Sequence, residues 1–421
     1  MSTLPTLIAE CGFTGGASTS TYLHLDDVAR GKLGTATLGP DAVWTDVTAY
    51  VWSASTQRGA SRAESPVLHY DAGTATVALD NSDRRFDPTN LTGPYVAAGA
   101  TEVTPMRAVR LRATWAGVTY DLWRGYADSW GITYNGPNWS QCTLTATDGF
   151  KVLSNYDRIA VSAVGAGEAA GTRIGRVLDS VSWSATDRVI ATGDTTLQAT
   201  TLDGDALTEM YLDSDTEIGE LYMDGAGRVV FRNRQALLED ARSNTPQATF
   251  GDSGTELPYT SVTIAYDEAT LANLVQVGRV GGTVQVSQDV PSQNTYLTRT
   301  FNRTDLLMQT DAAAAEYAGF IKFVGKDPEL RFATLVVNPL ADAAHLFPQV
   351  LSREIGDRVT INRRPPGGGT ITRDVFIRGI QHDITPATWL TTWTLQSASK
   401  YSFLVLGDPT LGLLDSNALA Y

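Results

Sequence analysis

The 421-residue sequence has only two cysteines, Cys11 and Cys142, only four histidines, and no apolar run approaching 18 residues. Two distant cysteines with no CxxC pair exclude a disulfide-built scaffold. They read as two small hydrophobes or as one bridge. Without a long apolar run, no membrane-spanning helix is expected. The opening MSTLPTLIAECGFTGG has no basic stretch followed by an apolar one, so no cleavable export signal is expected. The sequence predicts a soluble product that works after cytosolic synthesis. Basic residues are also short: 32 Lys and Arg stand against 46 Asp and Glu, for a net charge of −14. Coating nucleic acid or docking on anionic lipid needs clustered Lys and Arg, so neither is expected as the main task.

Catalytic motifs are missing too. No two of His24, His69, His345 and His382 stand at HxH or HxxxH spacing. HExxH, GxSxG and GxxxxGK[ST] are absent. Each histidine reads as a surface or packed residue, and His382, which follows Arg378-Gly379-Ile380-Gln381, is the strongest exception. Adjacent acids such as Asp26-Asp27, Asp213/Asp215/Glu217 and Glu239-Asp240 raise a glycosidase pair, but sequence neighbours on a strand point apart and fix no separation. The run Asp80-Asn81-Ser82-Asp83-Arg84-Arg85-Phe86-Asp87-Pro88 carries oxygen ligands for Ca²⁺. It lacks the glycine an EF-hand needs, and two arginines oppose a cation. A tight turn bonding its own backbone is the expected reading. Arg364-Pro365-Pro366-Gly367-Gly368-Gly369 reads as a hairpin tip, since two prolines remove the N–H donors that a phosphate cradle uses. We therefore name no catalytic, cofactor-binding or metal-ligating residue. Nine Trp and 16 Tyr are enough for a sugar-binding face, but most fall at strand positions that suit cores.

What is present is β-strand. Apolar residues make up 43% and charged residues 19%, so the chain can bury real cores, in about three domains. Short alternating runs broken by turns recur: 47–52, 74–79, 109–115, 118–123 and 142–146, then 262–266, 274–280, 283–287, 330–337, 358–362 and 374–380. Three helices break the pattern. Apolar residues at 174, 177, 178 and 181 mark one face, with Thr172 as the expected cap. Leu207, Tyr211 and Leu212 suggest a second helix. Residues 310–324, with Ala313, Tyr317, Phe320, Ile321 and Val324 on one face, form the clearest. Tyr222 to Phe231 reads as a hairpin. Small or turn-rich stretches at 161–172 and 243–258 read as linkers. The expected division is a β domain over 1–158, a small α+β insert over 159–255, a second β module with one helix over 256–400, and an arm over 401–421.

A repeat supports that division. Val109-Arg110-Leu111, a turn, Asp121 to Arg124-Gly125, Trp130, Trp139 and Thr143-Leu144-Thr145 match Val359-Thr360-Ile361, a turn, Asp374 to Arg378-Gly379, Ile384, Trp389 and Thr394-Leu395-Gln396. Each reads as strand, loop, strand ending in Arg-Gly, loop and strand. The expected fold class is mainly β (α+β overall), with two related β-barrel or sandwich modules around a small α+β insert.

The block Trp44-Thr45-Asp46-Val47-Thr48, Arg58-Gly59, Thr76 to Pro88, Val109-Arg110-Leu111-Arg112 and Trp123-Arg124-Gly125 resembles minor tail proteins of long-tailed actinobacterial phages. The pattern Tyr266-Asp267, Leu271, Asn273, Val275, Pro328, Leu330-Arg331, Ile355 to Val359 and Arg378-Gly379 is similar to the baseplate or tail hub family. The resemblance covers about 44 to 400. It implies a structural, non-enzymatic virion protein at the tail tip: a homotrimer whose two tube-type β domains match a sixfold tube. The implied partners are the distal tail or tail-tube protein, tip or fibre proteins and the tape measure protein. DNA is met only in passage on ejection, and no cofactor or stable membrane insertion is implied. The protein is expected to assemble in the host cytoplasm and to reside in the virion tail tip. No C-terminal hydrolase or fibre domain of the kind many hubs carry is expected from this sequence, and the alternative is a receptor- or carbohydrate-binding tail-tip adhesin.

Overall fold

A computed structural model describes residues 4–13 and 44–401, apart from 64, 66, 98, 137–138, 158–165 and 202–203. The chain is mainly β, as expected, and one six-strand layout occurs in it twice. The first uses β1 (Thr6–Cys11), β2 (Val51–Gly59), β3 (Asp71–Asp80), β4 (Ala108–Trp115), β5 (Val118–Tyr134) and β6 (Ser140–Thr147). These pair antiparallel in the order β2-β3-β6-β5-β4-β1. The second uses β7 (Thr249–Gly251), β8 (Ser261–Ala265), β9 (Arg331–Val337), β10 (Arg358–Arg363), β11 (Ile371–Ile384) and β12 (Trp389–Ser397). Its order is β8-β9-β12-β11-β10-β7, with only the β10–β7 pair parallel. With the short strands Thr45–Asp46 and Leu257–Pro258, both layouts form a single 14-stranded sheet, joined where β2 pairs with β11.

Alternation explains how these strands pack. β6 reads Ser-Gln-Cys-Thr-Leu-Thr-Ala-Thr, and every first residue of each pair is buried. One continuous apolar core runs through both layouts, from Cys11, Leu111 and Leu144 to Leu335, Ile377 and Trp393. Helix α4 (Ala343–Ser352, counted after the three below) lies across both, with the Phe347 ring 4.8 Å from Trp115 and 5.9 Å from Trp389. On the wet face of β4, Arg110 and Arg112 both donate to Glu10 of β1.

Between the layouts sits a smaller α+β unit. α1 (Ala170–Ser180) and α2 (Ala206–Glu217) pack Ile174, Val177, Leu178 and Met210 against the hairpin Glu220–Met223/Val229–Arg232. Thr172 does not cap α1. The helix begins at Ala170, after Ala169. The reason is packing: a Cβ on Gly171 would stand 1.7 Å from Ala191 O, so this end meets its neighbour through bare backbone. A further body forms between β8 and β9. Strands Leu274–Arg279, Gln285–Gln288 and Thr300–Leu306 make their own sheet, covered by α3 (Asp311–Gly325). Thr310 caps α3, accepting from Ala313 N–H.

Other expectations change. Residues 48–50 form a 3₁₀ turn, so the strand expected from Val47 begins at Val51. The 243–258 stretch is more than a linker, because it contains β7 with Phe250 fully buried. β5 and β11 run without a break through the loops expected after each Arg-Gly. A bulge in each, at Asp128 and at Arg378, shifts the alternation that marks a strand. The paired registers also correct the repeat. Tyr126 pairs with Ala108 and Thr147, and Phe376 with Arg358 and Gln396. Val109 and Val359 therefore correspond, as expected, but Gly125 corresponds to Val375, and the two Arg-Gly pairs are not equivalent.

Candidate assembly interface

The strand junction that joins the two layouts is the β2–β11 pair. β11 has β10 along 371–376 on one edge and β12 along 375–384 on the other. The chain entering β10 leaves the first edge at Gly356. Its N–H donates to Ile377 O at 2.8 Å, Ile377 N–H donates to Asp357 O at 2.9 Å, and the chain turns away at φ 90°. The half-edge beyond, 379–384, is thereby open, and β2 fills it, with Gly59 opposite Gly379 and Ala54 opposite Ile384. Bare backbone is required at the tight end. A Cβ on Gly59 would lie 2.4 Å from Arg378 O, and one on Gly379 would lie 2.3 Å from Ala60 O. Across the pair, Ser55 Oγ donates to Asp383 Oδ1 at 2.7 Å. His382, opposite Thr56, is buried with Nδ1 3.0 Å from Thr391 Oγ1. Burial, aided by Arg58, pushes its pKa down to about 3, so it is neutral.

The bulge turns Arg378 onto the α+β unit. Its guanidinium is buried, pairs with Glu220 and lies 3.3 Å from the Tyr70 hydroxyl, while Nε donates to Gln396 at 2.8 Å. Arg232 adds a second partner to Glu220 at 3.2 Å. Burial alone would raise the Glu220 pKa, but Arg378 and Arg232 outweigh it and hold the carboxyl below its usual range. On β2, Arg58 pairs with Glu354. Glu220, Arg232 and Glu354 were not singled out from the sequence. Arg58-Gly59 and Arg378-Gly379 were, and they meet here.

No family model and no curated protein matches the sequence. In structure, the chain is similar to the 43 kDa tail protein of prophage MuSo2 from Shewanella oneidensis, at 11% identity and a TM-score of 0.55, over 94% of this chain and 98% of that one. It is likewise similar to a tail protein from Neisseria meningitidis MC58, at 11% identity and a TM-score of 0.57, over 94% and 97%. The chain has the fold of these tail proteins.

Within this tail-protein fold, the residues weighed for chemistry are engaged in structure. In the 80–88 turn, Asn81 Oδ1 accepts from Phe86 N–H at 2.8 Å, Asp80 Oδ1 from Ser82 N–H at 2.9 Å, and Asp87 from Thr89 N–H, Arg84 and the Tyr134 hydroxyl. Arg85 pairs with Asp83 and stacks 3.6 Å over the Tyr50 ring. Among the acids of α2, Glu217 accepts from Asp194 and Thr195 N–H, and Asp215 bonds His69 at 2.9 Å and Arg303 at 2.8 Å. Asp240 holds Arg232, and His345 bonds Asp342. Arg363 and Arg364, at the Pro/Gly hairpin tip, pair with Asp252, and Arg364 also pairs with Glu256. Cys11 and Cys142 are buried and unbridged, and burial pushes the Cys142 thiol up to about 12. Trp123, Trp389 and Trp393 are fully buried core residues, while Trp139 is exposed and stacks on Trp52. His24, Asp26-Asp27 and the 402–421 part of the arm lie outside the described residues.

Proposed function

We propose that this chain is a structural virion protein, a hub at the distal end of a phage tail tube of the kind found in long-tailed actinobacterial phages. Three copies form a ring, and each contributes two tube-type modules, 1–158 and 256–400, with 159–255 as the insert and 401–421 as an arm. Six similar modules meet a sixfold tube, tip or fibre proteins attach below, and DNA passes through on ejection. The observation that carries this reading is the duplicated six-strand layout joined edge to edge in one sheet, which is what threefold-to-sixfold matching needs. The fold likeness to two tail proteins over 94% of the chain adds support. A chain with a net charge of −14 also has little to grip phosphates in transit.

Class-averaged negative-stain images of the purified protein, alone and with tail-tube protein, test this. Threefold rings with a central hole and a pseudo-sixfold face are the expected result. Single particles that also fail to join tail-tube protein would overturn it in favour of the adhesin.

A further inference from the structure

β5 repeats the surroundings of β11 strand for strand. β4 lines its first half and β6 its second, from opposite edges. The chain entering β4 leaves the edge at Met106. Its N–H donates to Ala127 O at 2.8 Å, Ala127 N–H donates to Arg107 O at 2.8 Å, and Met106 turns away at φ 63°. Gly356, Ile377 and Asp357 do the same in the second layout. There, β2 fills the half-edge beyond. In the first layout, no strand among the described residues pairs with the half-edge over 129–134. The matching donor edge is open as well. β8 holds the place of β2 and, among the described residues, pairs with β9 alone.

Both open edges have the composition of pairing surfaces. β8 reads Ser-Val-Thr-Ile-Ala, and 129–134 reads Ser-Trp-Gly-Ile-Thr-Tyr. Neither contains a charge or a proline, the usual protections of an edge strand. Ile264 is 38% exposed, Tyr266 64% and Tyr134 57%, whereas Ile380, His382 and Ile384 on the filled half-edge are at most 5% exposed. Apolar side chains left open on one copy of a layout, and buried on the other by a strand, call for a strand.

We propose that β8 of one chain pairs antiparallel with residues 129–134 of β5 in a second copy, repeating between chains the β2–β11 junction within one. The proposal deepens the tail reading and rests on it only for the number of copies in the ring. The register follows from the stacked pairs. Ala54, Val77, Leu144 and Trp130 lie across one layout as Val262, Leu335, Trp393 and Ile380 lie across the other. Tyr134 then holds the place of Ile384, and Thr133 that of Asp383. Ala54 opposes Ile384, so Val262 opposes Tyr134 of the second copy, a β-branched residue against an aromatic. Thr263 opposes Thr133 in the same way, where Ser55 bonds Asp383. The contact is head-to-tail: each chain offers one donor edge and one acceptor edge, and closure leaves neither exposed.

Disulfide trapping in the full chain tests the register. The variants are Val262→Cys with Tyr134→Cys, and Thr263→Cys with Thr133→Cys. Opposed residues in an antiparallel pair have Cα atoms roughly 4.5–5.5 Å apart, within disulfide reach. Cys11 and Cys142 are buried and do not compete. Under mild oxidation, the better-placed pair is expected to convert most of the protein to covalent multimers. Single variants and the out-of-register pair Val262→Cys with Thr119→Cys are expected to give none. Ile264→Lys is expected to weaken self-association at least tenfold with unchanged melting of the monomer. Assemblies without the in-register cross-link overturn the pairing, as does a chain that stays monomeric at every concentration. Protection of both edges from hydrogen exchange in the monomer, which would mean that the chain covers them itself, overturns it too. A chain that joins tail-tube protein without cross-linking keeps the tail role and loses this pairing. One that cross-links in register yet joins no tail component does the reverse.

Discussion

The bulges at Asp128 in β5 and Arg378 in β11 are one backbone event in two environments. Each interrupts the register at the same level of the same layout. Asp128 stays near solvent, paired with Lys151 and accepting from Thr147 Oγ at 2.7 Å. Arg378 is 1% exposed, because the hairpin carrying Glu220 and Arg232 lies over it. A bulge aims a side chain out of the ladder, and what covers that side chain sets its worth. The exposed pair is screened and weak. The buried one cannot lose a member without stranding a charge. The two layouts thus share the backbone, and the α+β unit decides where the energy sits.

The largest expected effect breaks the buried side. Arg378→Met should cost about 3–5 kcal/mol, read as a fall in the denaturation midpoint, since Glu220 would lose its closest guanidinium. Adding Glu220→Gln should restore part of that loss, and a double variant no more stable than Arg378→Met alone would show that the pair is not coupled. Next comes the junction backbone. Gly59 sits at φ 84°, against Arg378 O, so Gly59→Ala should cost about 1–3 kcal/mol or more, visible in the same melts.

The third prediction uses pH. The folded pKa of His382 lies below its usual value of about 6.5, so its contribution is fully present above that pH and is lost as pH falls towards 3. By pH 5 the loss should be about 2 kcal/mol. Asp148 works in the opposite sense. Burial raises its pKa to about 7, with Gly73 and Phe150 N–H opposing, so stability falls as pH rises from about 4 to 7. Stability curves for His382→Leu and for the parent should diverge only below pH 6.5. Parallel curves would place the histidine outside the acid response. The smallest effect is expected at the exposed bulge, where Asp128→Ala should cost under about 1 kcal/mol by denaturant titration.

Much of this fold was legible because its cues are local. The α3 helix carries its apolar face and its Thr310 cap in one stretch. The 80–88 turn holds several of its own donor–acceptor pairs, such as Phe86 N–H on Asn81 Oδ1 and Ser82 N–H on Asp80 Oδ1. The three-strand repeat stood out through Val109 and Val359, whose correspondence the registers support. Other features were hidden because their partners are remote. The start of α1 depends on Ala191, twenty residues on. The equivalence of the Arg-Gly pairs failed because a bulge adds a residue without leaving a mark in the composition. Glu220 gave no signal at all, since an acid in a short hairpin looks the same whether or not an arginine 158 residues away covers it.

Period, composition and turn residues therefore settled that the chain is mainly β with a small helical unit, because alternation and capping act between residues a few positions apart. Tertiary structure decided the rest: which edge β2 fills, which bulge residue is buried, and which two edges stay open among the described residues. Those outcomes depend on which strands lie side by side and on what covers them, and neither is set by neighbours in sequence.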